Sequence, residues 1–364
     1  MTEDFRTGIA GRRVFVTGAT GFIGRRLVTQ LTEAGADVTV LARSKAGARN
    51  LAQPNPTVVV GSMSDAALLG DFLTGCDVLF NIAYDVRASA AENLRAFERL
   101  REAAQAAGVG RIVHTSSIVV YDAWPKDDIS EAGSMARPGG SPYRQAKIEM
   151  ERRLMAGPLP AAILQPTIVY GPGSTLWTDG LARALTRGDV VLPTPEGLCN
   201  GVFVDDVVQA ALRAALIPDL GQERFVISGE RTFLWSEMIG GYARILGPGK
   251  VRHEPVGDLA ARLGPKPDDS GLGDRPSAAA RISALARRLL GHQRFEALVR
   301  GLKSRLSRGG DFYPDHHLLE EFCGTGRCHI DHARDRLGYA PAFDLARGLE
   351  RTADHLRTLA ARGS

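Results

Sequence analysis

The chain has 364 residues, of which 44% are hydrophobic and 24% charged, with a formal net charge of +4 and four cysteines. That balance excludes a disordered or fibrous chain, and the length suits one large domain carrying an appended lobe. No apolar run approaches the about 20 residues of a membrane-spanning helix, the N-terminal MTEDFRTGIAGRR lacks the apolar centre of a secretory signal, and Cys76, Cys199, Cys323 and Cys328 make no disulfide framework, so the expected address is the cytoplasm.

From residue 13 to 166, short β-branched runs alternate with helical patterns. VFVT, DVTVLA, TVVV, DVLFNIA, RIVHTSS and AAILQP read as strands, and 22–34, 65–74, 88–107 and 142–156 as the helices between them. Strands apolar along their whole length belong to a parallel sheet covered on both faces, because neither face meets water. The expected class is therefore α/β with a doubly wound parallel sheet. After Pro166 the pattern loosens into the Gly/Pro-rich YGPGST and LPTPEGL, with helical stretches at 175–187, 205–216 and 235–246. This reads as a smaller C-terminal lobe, mixed α/β and interleaved with the sheet, which closes over the carboxyl ends of the strands and selects the substrate. The expected division is 1–170 and 171–364.

Residues 257–281, rich in Gly, Pro, Asp and Arg, read as a mobile loop, and a helical pattern follows from Ser277 to Leu306. Ile282, Leu285, Leu289, Phe295, Leu298, Val299 and Leu302 mark its apolar side, while Arg287, Arg288, Arg294, Arg300, Lys303 and Arg305 crowd the rest. Within a basic insertion over 257–320, this is a lid or packing helix with a solvated basic face. The sharper alternative is weak contact with a membrane surface through 281–306. Basic residues elsewhere are dispersed, so charge does not indicate nucleic-acid binding.

TGATGFIG, Thr17–Gly24, follows the first strand and opens the first helix. In that context backbone N–H groups and the helix dipole receive a pyrophosphate, with Gly18 permitting the turn, Gly21 the approach of phosphates and Gly24 close helix-to-strand packing. Thr20, Phe22 and Ile23 complete the cofactor-facing positions of this turn. At the end of the second strand stands Arg43, where a carboxylate would bond the ribose hydroxyls of NAD. An arginine cannot accept those bonds but holds a 2′-phosphate, which favours NADP and leaves NAD as the alternative. The bland reading is a solvated arginine.

SPYRQAK sets Tyr143 and Lys147 four apart, one turn of helix, with Ser141 and Pro142 as the helix start. An ammonium there is expected to lower the phenol's pKa, letting it exchange a proton with a substrate hydroxyl or carbonyl. Upstream, HTSS ends the fifth strand with Ser116 and Ser117, placed to hydrogen-bond the same substrate oxygen.

These motifs, with NLRAFERLREAAQAAGVGRIVHTSS, LQPTIVYGPG, FVDDVVQA and IDHARDRLGYAP, give a chain that resembles the extended short-chain dehydrogenase/reductase family, the NAD-dependent epimerase/dehydratase group, over about 12–250 and 328–357. The resemblance implies a Rossmann-type dinucleotide-binding domain, Ser117 positioning the substrate oxygen, Tyr143 as acid/base, and Lys147 also bonding the nicotinamide ribose. Asn93 matches the family's supporting asparagine. Ile82 and Ala83 in NIAY lie along the cofactor, and Pro166 and Ile168 beside the nicotinamide. The family's adenine-binding aspartate is replaced at GSMSD, leaving Ser62 and Met63 at that position. The resemblance also implies a homodimer through the helices at 88–107 and 142–156.

Departures from the family bear on the reaction. Dehydratases carry an Asp-Glu pair after the active-site hydroxyl residue, whereas Ile118 and Val119 follow Ser117 here. Cys199 and Thr167 stand where nucleotide-sugar enzymes show a diphosphate-binding arginine and an asparagine. The favoured reading is an NAD(P)-dependent oxidoreductase acting on a small or lipophilic secondary alcohol or ketone. The alternatives are a nucleotide-sugar epimerase with tightly bound NAD and a catalytically inactive cofactor-binding protein. Cys323, Cys328, His329 and His332 tempt as zinc ligands, but their spacing is loose and no metal is expected. Asp205 and Asp206 are expected to cap a helix N-terminus.

Overall fold

A computed structural model describes residues 8–49, 51, 56–265 and 310–362. Its centre is a seven-stranded, wholly parallel sheet in the order β11–β6–β5–β4–β1–β2–β3. The strands are β1 (Arg13–Thr17), β2 (Asp37–Ala42), β3 (Thr57–Val60), β4 (Val78–Asn81), β5 (Arg111–Thr115), β6 (Ala161–Pro166) and, from much later in the chain, β11 (Gln222–Ile227). Helices α1 (Phe22–Glu33), α2 (Ala66–Leu73), α3 (Ala90–Ala106) and α4 (Pro142–Met155) form the crossovers, within two residues of their expected limits.

Alternation along each strand divides its side chains between two cores. Val14 and Val16 of β1, Val78 and Phe80 of β4 and Ala162 and Leu164 of β6 face one core, with Leu27, Val28 and Leu31 of α1. Phe15, Leu79, Ala161 and Ile163 face the other, with Phe97, Leu100, Met150 and Leu154 of α3 and α4. Both faces are thus sealed, which is why the strand sequences carry no polar alternation.

The second lobe holds three two-stranded ladders: β7 (Ile168–Tyr170) with β10 (Gly201–Phe203), β8 (Val190–Thr194) with β13 (Val251–Pro255), and β9 (Leu198–Cys199) with β12 (Phe233–Leu234). A π-helical turn, Thr175–Gly180, runs into α5 (Leu181–Leu185). α6 (Val204–Leu216), α7 (Trp235–Leu246), α8 (Val256–Leu263), α9 (His316–Phe322), α10 (Asp331–Leu337) and α11 (Leu345–Ala361) follow. Tyr170, Phe203, Trp235, Tyr242 and Phe322 are its largest core residues. α6 and β11 return to the sheet, so the expected boundary at residue 170 marks an excursion of the chain.

Two local expectations are corrected. The loop read from residue 257 begins as helix α8, whose Leu259 is buried against Val191 and Leu319. Asp205 and Asp206 lie in the first turn of α6 but make no side-chain cap. Asp205 pairs with Arg26 of α1 at 2.6 Å, and Asp206 accepts from the backbone N–H groups of Ala342 and Phe343, because long-range donors outbid the local ones. The basic helix expected over 277–306 lies outside the described residues. No described helix is long and apolar enough to cross a membrane.

Candidate active site

Strand order reverses between β4 and β2 on either side of β1, and the carboxyl ends of β1 and β4 open the crevice where such sheets take ligands. The glycine turn fills that crevice. Gly18 has φ +72°, and a Cβ there would stand 2.8 Å from the backbone N of Ala83, so both conformation and space require glycine. A Cβ on Gly24 would fall on the carbonyl of Gly18, whereas one on Gly21 would meet only that oxygen, at 3.1 Å. Gly21 caps α1 without a side-chain bond, and no acidic residue occupies the first turn. The helix start therefore offers unsatisfied N–H groups and a positive dipole end, which fits a pyrophosphate.

Ser141 caps α4 by accepting from the Arg144 N–H, and Pro142 occupies its first turn. That placement brings Tyr143 near Ser117, whose hydroxyl favours the ionised phenol. Lys147, 2% exposed, donates from Nζ to the Thr115 carbonyl at 2.6 Å. The expected lowering of the phenol's pKa does not occur. Burial pushes Tyr143 up to about 12, the Ser117 hydroxyl opposing, while burial pulls Lys147 down to about 8 with Glu151 opposing. Beneath them runs a buried polar string: Thr17 donates to Asn81 at 2.8 Å, and the Asn81 amide meets His114 Nδ1 at 3.0 Å. Ser116, read beside Ser117 as a substrate contact, is buried with its hydroxyl unpartnered among the described residues.

The profile of the NAD-dependent epimerase/dehydratase family matches residues 14–228, more than half of the chain. The chain belongs to this family. It is 28% identical over 183 residues to the 4-hydroxy-2-methyl-3-oxo-4-farnesyl-3,4-dihydroquinoline-1-oxide ketoreductase of Stigmatella aurantiaca, covering 48% of this chain and 55% of that one. It therefore spans just over half the length of that relative. It is 33% identical over 244 residues to a UDP-glucose 4-epimerase of Mycolicibacterium smegmatis, covering 58% of this chain and 76% of the other. An epimerase from Methanothermobacter thermautotrophicus shares the fold, with a TM-score of 0.71, 19% identity and coverage of 99% and 96%. The family is one of NAD-dependent enzymes, and reductases and epimerases are among the relatives of this chain.

The remaining positions anticipated from the family fall around this crevice. Arg43, largely exposed at the end of β2, pairs with Asp85 at 2.6 Å. Asn93 turns its amide to the backbone, with Oδ1 accepting from the Asp85 N–H and Nδ2 donating to the Asp85 and Ser89 carbonyls. It fixes the loop after β4, and its described bonds are all to that loop. Ser62 is exposed after β3 and accepts from the Ser64 N–H, while Met63 packs at the edge of the sheet core. Ile82 and Ala83 abut Gly18, and Pro166 and Ile168 end β6 and open β7. Phe22 lies close to Gly173 in the loop after β7, so the second lobe reaches the glycine turn. Of the residues weighed as zinc ligands, His329 faces Asp128 at 3.2 Å and His332 stacks on Phe225.

Glu321 escaped the sequence reading, and Tyr84 entered it only as the last residue of NIAY, a motif expected along the cofactor. Tyr84 packs edge-on against Tyr143. Glu321 of α9 is 4% exposed, accepts from the Trp124 indole N–H at 2.9 Å, and leaves Oε2 without a partner among the described residues. Burial raises its pKa from 4.5 to about 7. The folded state thus holds a proton between those values that the unfolded chain has lost, so stability falls as pH rises from about 4.5 to 7. Glu321→Gln removes the charge and keeps an acceptor for Trp124. Its melting temperature is expected to exceed wild type at pH 8, by about 2 kcal/mol of stability, and to match it at pH 5. Equal differences at the two pH values would show that this carboxyl does not titrate as described.

Proposed function

We propose that the protein is an NADP(H)-dependent oxidoreductase that interconverts a secondary alcohol and a ketone on a small or lipophilic substrate, exchanging its cofactor in each turnover. The observation that carries this reading is the grouping of Ser117, Tyr143 and Lys147 beside a glycine turn shaped for a pyrophosphate. Gly18, Thr20, Gly21, Phe22, Ile23 and Gly24 would hold the dinucleotide, with Arg43, Ser62 and Met63 on its adenosine side and Ile82, Ala83, Pro166 and Ile168 towards the nicotinamide. Bound there, the nicotinamide supplies or accepts the hydride.

Ser117 orients the substrate oxygen by hydrogen bonding, and Tyr143 donates its proton as that oxygen gains charge. Lys147 then stabilises the phenolate left on Tyr143, and Asn93 keeps the loop after β4 in register without touching the reacting atoms. Half-buried Phe22, Trp124, Val169 and Trp177 pack on the second core, and Leu176 is 45% exposed. Such partly exposed apolar side chains in and against the second lobe support a lipophilic substrate, in line with the farnesylated compound in the name of the Stigmatella relative. The same reading includes a homodimer, supported by a groove of about 700 Å³ along α3 and α4 lined in part by Ala90, Leu94, Ala146 and Ile148. The Mycolicibacterium relative favours the second reading, an epimerase that keeps NAD bound.

Cofactor exchange separates the two. Protein freed of nucleotide is expected to oxidise NADPH when given a long-chain 3-oxo ester, with Arg43→Ala weakening NADPH binding about tenfold and NADH binding far less, because it removes the partner of a phosphate and leaves Asp85 unopposed. Stoichiometric NAD retained through purification, with UDP-glucose interconverted and no net oxidation of added NADPH, would establish the epimerase instead.

A further inference from the structure

Tyr84 follows the Ile82–Ala83 backbone that packs against Gly18, so its side chain leaves the chain between the glycine turn and α4. Its ring meets that of Tyr143 at 4.8 Å between centroids and 84° between planes, an edge-to-face pair. The Lys147 ammonium lies 5.2 Å from the Tyr84 centroid and 5.8 Å from that of Tyr143, within reach of both ring faces. The Tyr84 hydroxyl has no hydrogen-bond partner among the described residues, and burial raises its pKa, so the ring is neutral.

We propose that Tyr84 is a positioning residue of this site: its ring fixes the plane of the Tyr143 phenol and holds the Lys147 ammonium in place and charged. The surroundings of that ammonium show why a ring matters there. Among the described residues Lys147 has one hydrogen bond, to the Thr115 carbonyl, and burial disfavours its charge. From β5, His114 faces it, held neutral by burial. Along its own helix stand Tyr143 and, one turn on, Glu151, which favours the charge but is already bound to Arg224 of β11 at 2.7 Å and to the Gln165 amide of β6. From the loop after β4 comes Tyr84. An ammonium short of water and of hydrogen bonds is stabilised by the negative face of an aromatic ring, a contact that desolvation strengthens. No other aromatic ring among the described residues offers Lys147 such a contact besides that of Tyr143, which must itself move charge.

This inference rests on Tyr143 being the acid/base, but its test can be read without a substrate. The sequence holds six lysines, so selective carbon-13 lysine labelling gives a spectrum in which Lys147 is assigned by its absence in Lys147→Met. Titration of that signal is expected to be unchanged in Tyr84→Phe, which keeps the ring. In Tyr84→Leu it is expected to move down by about half to one pH unit. Pentafluorophenylalanine at position 84 keeps the shape and depletes the ring face of electrons. It is expected to lower the titration as Tyr84→Leu does, which separates the effect from any loss of folding. Turnover should follow the same order, with Tyr84→Leu reduced about tenfold in kcat, little change in KM, and an alkaline limb displaced to lower pH. Two results would overturn the proposal: a Lys147 titration indifferent to the fluorinated ring, or a Tyr84→Phe enzyme as impaired as Tyr84→Leu, which would assign the role to the hydroxyl. Should the titration shift while no ketone is reduced, the oxidoreductase reading fails and the placement of Tyr84 stands.

Discussion

Tyr143→Phe is expected to lower ketone reduction about a thousandfold while leaving the dissociation constant for NADPH within about threefold of wild type. The proton that neutralises the substrate oxygen comes from the phenol, and removing a positioned acid of this kind costs two to four orders of magnitude in rate. The ring itself stays in its edge-to-face contact with Tyr84, so the fold and the nucleotide turn are undisturbed. The pH dependence carries its own sign. With the phenol raised to about 12, Tyr143 is protonated throughout the neutral range and ready to act as an acid. Reduction should therefore hold level through neutrality and decline above about pH 8, as Lys147 loses the charge that stabilises the phenolate. Steady-state kinetics and fluorescence titration of NADPH check both. A Tyr143→Phe enzyme retaining a tenth of the wild-type rate would remove the tyrosine from the chemistry, and loss of binding together with rate would point to a structural role.

Gly24→Ala is expected to destabilise the protein by about 3 kcal/mol, a fall of about 5–10 °C in melting temperature, and to abolish dinucleotide binding. The added methyl group would overlap the Gly18 carbonyl and lie 2.8 Å from its carbon and 2.9 Å from the Ala19 Cα, and none of these backbone atoms can swing aside as a side chain does. Gly21→Ala is the informative companion. Its Cβ meets only the Gly18 carbonyl, at 3.1 Å, and the position is exposed, so melting should shift by no more than about 2 °C. NADPH affinity should nevertheless fall at least tenfold if phosphates approach there. Equal thermal losses in the two variants would contradict this separation of packing from binding.

Sequence patterns of short range carried most of the architecture. The runs VFVT, DVLFNIA and AAILQP announce buried strands because both of their faces are apolar, and Ser141–Pro142 announces α4 because capping is a local affair. What stayed hidden depends on partners distant in the chain. Nothing in HHLLEEF distinguishes Glu321 from an ordinary acidic residue on a helix, since its burial is created by Trp124 and Trp235. Asp206 looks like a cap until Ala342 and Phe343 arrive to claim it. The Tyr–Lys spacing announced that the two side chains share one helix face, yet not their electrostatics, because the loss of water around Tyr143 outweighs an ammonium whose hydrogen bond goes to Thr115. Tyr84 lay inside a motif already noted, and only the angle between two rings reveals its part.

Because β11 enters the sheet after the chain has already built β7 to β10, the second lobe is assembled from two segments, one between β6 and β11 and one after β11, joined by the β8–β13 and β9–β12 ladders. It can lengthen, shorten or be rebuilt without unpairing β6 from β11, provided the segments feeding those strands are kept. A fold wired in this way acquires new chemical targets by changing those two segments in concert, while the nucleotide turn and the tyrosine helix are inherited untouched.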